Sequence, residues 1–140
     1  MLKALLLFSL PLFGVEMIIN NPHTTIFKES HPSYSITSKK YIQNFDKKPS
    51  LLFFNIEQYM LSNNFYQDGV FRVKQLEISF HKAYKFASKL YFFQVKGHYN
   101  DTTISAKKAI YYHNKLLLKN VTLTSPKKIL RRKKYLLNIK

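Results

Sequence analysis

From Leu51 onward apolar and polar residues alternate, in segments rich in Phe, Tyr, Ile, Val and Thr. A period of two sends successive side chains to opposite faces of a strand, and these residue types suit a pleated surface. The pattern predicts strands over Leu51–Met60, Val70–Phe80, Leu90–Tyr99, Thr102–Tyr112 and Lys115–Ser125. In the second of these, Leu76, Ile78 and Phe80 share an apolar face while Gln75, Glu77 and Ser79 point to the wet side. Turn residues punctuate the segments: Ser62-Asn63-Asn64, Gln67-Asp68-Gly69, Asn100-Asp101 and His113-Asn114, with Pro126 ending the last strand. His81–Lys89 reads as an irregular connection or a strand, since Ala83, Phe86, Ala87 and Leu90 would also suit a short helix. Strands joined by such short turns build an antiparallel meander, so the expected class is all-β: a single curved sheet, or a flattened sandwich open at its ends.

The first 21 residues, MLKALLLFSLPLFGVEMIINN, follow another pattern. Lys3 precedes an apolar run from Ala4 to Val15, followed by Glu16 and the triplet Met17-Ile18-Ile19. Two readings fit a hydrophobic helix here. A secretory signal has an apolar stretch of ~7–15 residues and a small residue before the cut, which Gly14 or Val15 supplies. A retained span needs about 17–25 mostly apolar residues, which Leu2–Ile19 just reaches with Glu16 at the headgroups. Both place the rest of the chain outside the cytoplasm, and Lys3 favours a cytoplasmic N-terminus. Asn20-Asn21-Pro22-His23 ends the segment, because Pro forbids continuation of a helix. The breakers and basic pairs between Thr24 and Ser50 read as a tether holding one strand around Tyr34–Ile36. The expected organisation is an anchor or signal over 1–21, a tether over 22–50, a β-domain over 51–126 and a basic tail over 127–140.

Charge then narrows the partners. Lys+Arg 23 against Asp+Glu 7 leaves +16, which favours polyanions: nucleic acid, anionic lipid headgroups or phosphorylated glycolipid. The export segment argues against nucleic acid. The absence of Cys removes thiolate catalysis, Fe–S clusters and cysteine-based zinc sites. Only three glycines are present, with neither a P-loop nor a dinucleotide fingerprint. His23, His31, His81, His98 and His113 are scattered without metal-ligand spacing. Glu57 and Glu77 fall on predicted strands with no separation that would define a two-carboxylate hydrolase, and no serine sits in a nucleophile elbow. No catalytic residue, metal or cofactor is expected, and the chain does not read as an enzyme.

The order of features resembles a known family. Pro49-Ser50-Leu51-Leu52-Phe53-Phe54-Asn55-Ile56-Glu57-Gln58-Tyr59-Met60-Leu61 followed by Asp68-Gly69-Val70 is similar to the opening of LptC, the periplasmic component of lipopolysaccharide export. Ile104 to Leu123 resembles the repeat shared by LptC and the LptA/OstA domains. In that repeat an Ala-x-x-Ala-x-Tyr strand, here Ala106, Ala109 and Tyr111, turns into an x-Leu-x-Leu-x-Asn-Val strand, here ending at Asn120-Val121. The likeness covers about two thirds of the chain, mostly through apolar alternation. The apolar segment in front of it matches LptC better than LptA. After Thr124 the family continues with further paired strands, whereas this chain runs into Lys127-Lys128-Ile129-Leu130-Arg131-Arg132-Lys133-Lys134.

The resemblance implies a β-jellyroll behind one inner-membrane helix, with the domain in the periplasm. Cleavage of the segment would instead give a soluble periplasmic protein. It implies a passive carrier that takes lipopolysaccharide from an inner-membrane LptBFG-like transporter, holds its acyl chains inside the jellyroll and passes it to an LptA-like protein through edge strands. Leu76, Ile78, Phe80, Phe93, Val95, Tyr99, Ile104, Ile110, Leu118 and Val121 are the candidates to line that groove. The same residues would equally build a closed core, because burying a methylene gains ~0.8 kcal/mol whether it belongs to a side chain or a ligand. Lys127, Lys128, Arg131 and Arg132 are the candidates for phosphate binding, against the alternative of a solvated tail. The alternative function is an anchored or secreted polyanion-binding module, for acidic lipid or nucleic acid, acting through that tail.

Overall fold

A computed structural model describes residues 16–28, 31–44 and 55–140. Among them are nine strands, β1 (Glu16–Asn20), β2 (His23–Lys28), β3 (His31–Asn44), β4 (Asn64–Val73), β5 (Leu76–Phe86), β6 (Lys89–Tyr99), β7 (Thr102–Tyr112), β8 (Lys115–Thr124) and β9 (Ile129–Asn138). A helix, α1 (Ile56–Asn63), stands between β3 and β4. One antiparallel sheet runs β1-β3-β4-β5-β6-β7-β8-β9, with β2 also paired to β3. β1 and β2 together form one edge, β1 lying along Lys40–Asn44 and β2 along His31–Thr37. Asn21, at φ 54°, and Pro22 make the break between them, with Asn21 N donating to Lys39 O at 2.8 Å. Proline is tolerated there because an edge strand leaves one side of its backbone unpaired.

Strands β5, β6 and β7 are 11 residues each, and their turns recur every 13 residues, at Lys74, Ala87, Asn100 and His113. Ala87-Ser88 and His113-Asn114 have both residues at positive φ, the conformation of a tight hairpin turn matched to strand twist. Within β7 and β8 the buried positions step by two, then three, then two, and the three-residue step recurs between Phe80 and Ala83 on β5 and between Phe92 and Val95 on β6. On β7 they are Ile104, Ala106, Ala109 and Tyr111, and on β8 Leu116, Leu118, Val121 and Leu123. The three-residue step changes which parity faces inward. It falls where Asp68, Gln94 and Asn120 adopt φ 51°, 57° and 51°, on β4, β6 and β8. The register on either side of these residues aligns them, with His81, Lys107 and Lys133 between, in one row across the sheet. The sheet is therefore creased along that row.

The crease brings the two halves of the inner face together. Phe71, on one side of it, meets Phe92 and Tyr111, on the other, at ring-centroid distances of 4.8 and 5.0 Å. Phe80 likewise meets Phe92 at 5.3 Å. Phe71, Ile78, Phe92, Leu116 and Leu118 have no exposed surface. The core is thus the space between two halves of one folded sheet, and β4 to β9 each run through both walls.

Several sequence expectations change. Glu16–Asn20 is a strand paired with β3, so the apolar segment does not continue as a helix to Ile19; residues 1–15 lie outside the described residues. Among the described residues no helix is long and apolar enough to cross a membrane. The stretch read as a tether carries β2 and the 14-residue β3. The predicted strand Leu51–Met60 is instead helical from Ile56, with residues 51–54 outside the description. Asn55 caps that helix by accepting from Gln58 N at 3.0 Å, a cap that outweighs alternation over so short a span. Gln67-Asp68-Gly69 is not a turn but the crease of β4; the turn falls at Lys74-Gln75, which divides the predicted Val70–Phe80 strand. The basic tail is largely β9, paired with β8 from Lys115↔Asn138 to Thr124↔Ile129.

Candidate functional site

The groove candidates separate by face. Leu76, Ile78, Phe80, Val95, Ile104, Leu118 and Val121 are buried between the two half-sheets. Tyr99 is half-buried against this core, and its hydroxyl accepts from Lys140 N at 3.0 Å. Phe93 and Ile110 point the other way, onto the outer face. Phe93 lies opposite Lys82 and Lys108, and Ile110 opposite Tyr91 and Leu117. The reason is the crease: alternation counted from Tyr91 through Val95 assigns Phe93 and Val95 to one face, and the φ of Gln94 separates them.

The interior is filled at its centre and open at its margins. Where the half-sheets part, a cleft of about 300 Å³ lies between Tyr34, Leu90 and Tyr111, with Ser88 and His113 at its rim. A second cleft, of about 130 Å³, lies under the free edge of β9 between Leu123, Leu130 and Tyr135, with Ser125 and Lys128 beside it. Small-molecule pockets usually measure ~300–1,000 Å³, and the second cleft, the β9 mouth, is smaller than that. It joins an apolar wall to a cation, and one of the anion-binding candidates, Lys128, stands there.

The other anion-binding candidates lie along β9. Leu130, Arg132, Tyr135 and Leu137 repeat the inward spacing of two, three and two, opposite Leu123, Val121, Leu118 and Leu116. Arg132 is nonetheless exposed, as are Arg131, Lys133 and Lys134, while Lys127 and Lys128 stand in the loop from β8. That loop is closed by Ser125 N donating to Lys128 O at 2.9 Å. The basic residues are thus held on a paired strand at the sheet edge, with no strand on its outer side among the described residues. Charge on such an edge resists unplanned strand addition.

The outer face beyond the crease carries a second pattern that sequence reading missed. One cross-strand row is apolar throughout: Ile42, Phe65, Tyr84 and Tyr91, continuing as Ile110, Leu117 and Leu136. Ile18 on β1 extends it beyond Ile42. The adjoining row is rich in lysine, with Lys82, Lys108, Lys119 and Lys134. Helix α1 covers the middle of this face: Glu57 pairs with Lys108, and Lys82 Nζ donates to Leu61 O at 3.4 Å. Phe65 and Tyr84 are buried there. Tyr84 stacks on Tyr91 at 4.6 Å, and burial, then the nearby Glu57 carboxylate, then Tyr91 raise its hydroxyl pKa well above the usual tyrosine value. The signal was available as residues recurring at mirrored positions about each turn, which only a known register converts into a row.

Glu57 and Glu77 do not converge. Glu57 is on α1, and Glu77, on β5, pairs with Arg72 at 3.0 Å on the outer face of the other half-sheet. Among the described residues no group of three His, Asp or Glu side chains could hold a metal ion. The chain matches no protein-family model and no curated protein.

Proposed function

We propose that this protein is an LptC-like component of lipopolysaccharide transport, which takes acyl chains between its two half-sheets and lipid phosphates at the adjoining basic edge. The observation that carries the reading is the mouth under β9, where Leu123, Leu130 and Tyr135 form an apolar wall beside Lys128. The residues of the resemblance add support, since they occupy the crease. Ala106 and Ala109 flank it on β7, and Asn120 supplies the positive φ on β8. The creased sheet suits a jellyroll, and the apolar residues 4–15 suit an inner-membrane anchor or an export signal ahead of a periplasmic domain. On this reading the chain receives lipid from an LptBFG-like transporter and passes it to an LptA-like partner along a free edge strand, with no catalytic step or cofactor.

The test is equilibrium binding of purified protein to lipopolysaccharide, with the de-acylated saccharide as comparison. Leu130→Glu combined with Tyr135→Glu places charge in the apolar mouth and is expected to weaken binding about tenfold or more. Unchanged affinity, or equal binding of the de-acylated saccharide, would overturn the reading. The second reading, a polyanion-binding module, is favoured by the exposed run Arg131-Arg132-Lys133-Lys134. It predicts salt-sensitive binding to acidic lipid or nucleic acid that needs these cations and is indifferent to acyl chains.

A further inference from the structure

The apolar row on the outer face is covered in its middle and open toward β9. Ile110 and Leu117 are half-buried, and Leu136 keeps 47% of its surface exposed. Lys119 and Lys134 flank this open part on one side, and Lys115 flanks it on the other. Among the described side chains, the carboxylate that reaches this face is Glu57, and it is tied to Lys108. Neither of the two described clefts is lined by Ile110, Leu117 or Leu136. An apolar strip one residue wide, bordered on both sides by ammonium groups on flexible stems, matches a plane with acid at its surface and hydrocarbon just beneath. Lysine stems lie along apolar surface while their heads stay with the acid. A second copy of the chain is the wrong occupant, because two such faces would oppose lysine to lysine.

We infer that the outer face around Ile110, Leu117 and Leu136 is a docking surface for an anionic phospholipid bilayer. It lets the domain lie against the membrane through its outer face, and it does not depend on what the interior carries. The cations set the preference for acidic lipid, and Leu136 enters the headgroup region.

The test uses the full chain, whose lack of cysteine allows single-site labelling. An environment-sensitive dye is attached at Leu136→Cys, and in a second protein at Thr103→Cys, exposed on the outer face of the other half-sheet. Because the readout is local, insertion of the N-terminal apolar segment does not imitate it. Vesicles of phosphatidylcholine with about one third phosphatidylglycerol are expected to shift the residue-136 dye to the blue and leave the residue-103 dye unchanged. Pure phosphatidylcholine is expected to do neither. Lys119→Glu with Lys134→Glu is expected to raise the lipid concentration needed by about tenfold or more, and its thermal unfolding checks that it folds. A residue-136 dye that stays water-like on acidic vesicles, or equal shifts at both positions, would overturn the inference. A concentration-dependent shift without vesicles would overturn it too, assigning the face to self-association.

Discussion

Asn120 shows how much one backbone angle decides. Its φ of 51° lies in the left-handed region, which Asn tolerates and β-branched residues do not. Asn120→Val is expected to cost about 1–3 kcal/mol, and Asn120→Gly much less, as measured by urea unfolding. Gly97 is constrained differently: a Cβ there would stand 2.0 Å from Glu77 O and 2.6 Å from Ile78 Cα on β5. Gly97→Ala is expected to destabilise by about 1–3 kcal/mol in the same measurement. The tyrosines set the pH response. Burial, the larger cause in each case, and a neighbouring tyrosine raise the pKa of Tyr34, Tyr41 and Tyr111, and Tyr84 is raised as well. The folded chain therefore holds these protons above pH 10, where the unfolded chain releases them. Stability is level with respect to these groups below pH 10 and falls above it. Tyr84→Phe is expected to flatten part of that alkaline fall, read from unfolding midpoints between pH 9 and 11.

At the scale of elements, β7 and β8 were legible in the sequence almost to their ends, because Asn100-Asp101 and His113-Asn114 mark their turns. The crease was not, although its trace is there. Ile104, Ala106, Ala109 and Tyr111 step by two, three and two, and strict alternation takes the middle step for noise. The same spacing in Leu130, Arg132, Tyr135 and Leu137 identifies β9, which charge composition disguised as a tail. The candidate site was legible in part: Leu76, Ile78, Phe80, Val95, Tyr99, Ile104, Leu118 and Val121 face the core, whereas Phe93 is separated from Val95, and Ile110 from Ile104, by the crease that alternation does not register. The element scale also separates a strand from a tail by experiment. Ile139 is buried and its N donates to Asn114 O at 2.8 Å, so the chain end is fastened to the β7–β8 turn. Removing residues 127–140 would uncover Leu116 and Leu118, which have no exposed surface in the intact sheet. Aggregation and loss of cooperative unfolding are expected, whereas a solvated tail would be lost without consequence.

In the whole molecule, folding one sheet upon itself solves the burial problem of a short chain, since each of β4 to β9 runs through both walls of the core. Contacts across the crease should then be worth more than those along a strand. Phe71 touches rings on the opposite wall, and Phe71→Ala is expected to cost about 3–5 kcal/mol in urea unfolding. The same construction leaves the two described clefts at the margins, while the side chains at the centre have no exposed surface. Among the described basic residues, Arg131, Arg132, Lys133 and Lys134 lie on the edge strand and Lys82, Lys108 and Lys119 on one outer face, while Arg72 and Lys96 lie on the outer face of the other half-sheet. The central claim is that lipid enters the interior at the β9 mouth, and site-specific photo-crosslinking tests it most directly. With a photoreactive residue at Leu130, Tyr135 or the outward-facing Thr103, the account predicts lipopolysaccharide adducts at 130 and 135 and none at 103. Absence of adducts at both inner positions, or equal yield at Thr103, would contradict it.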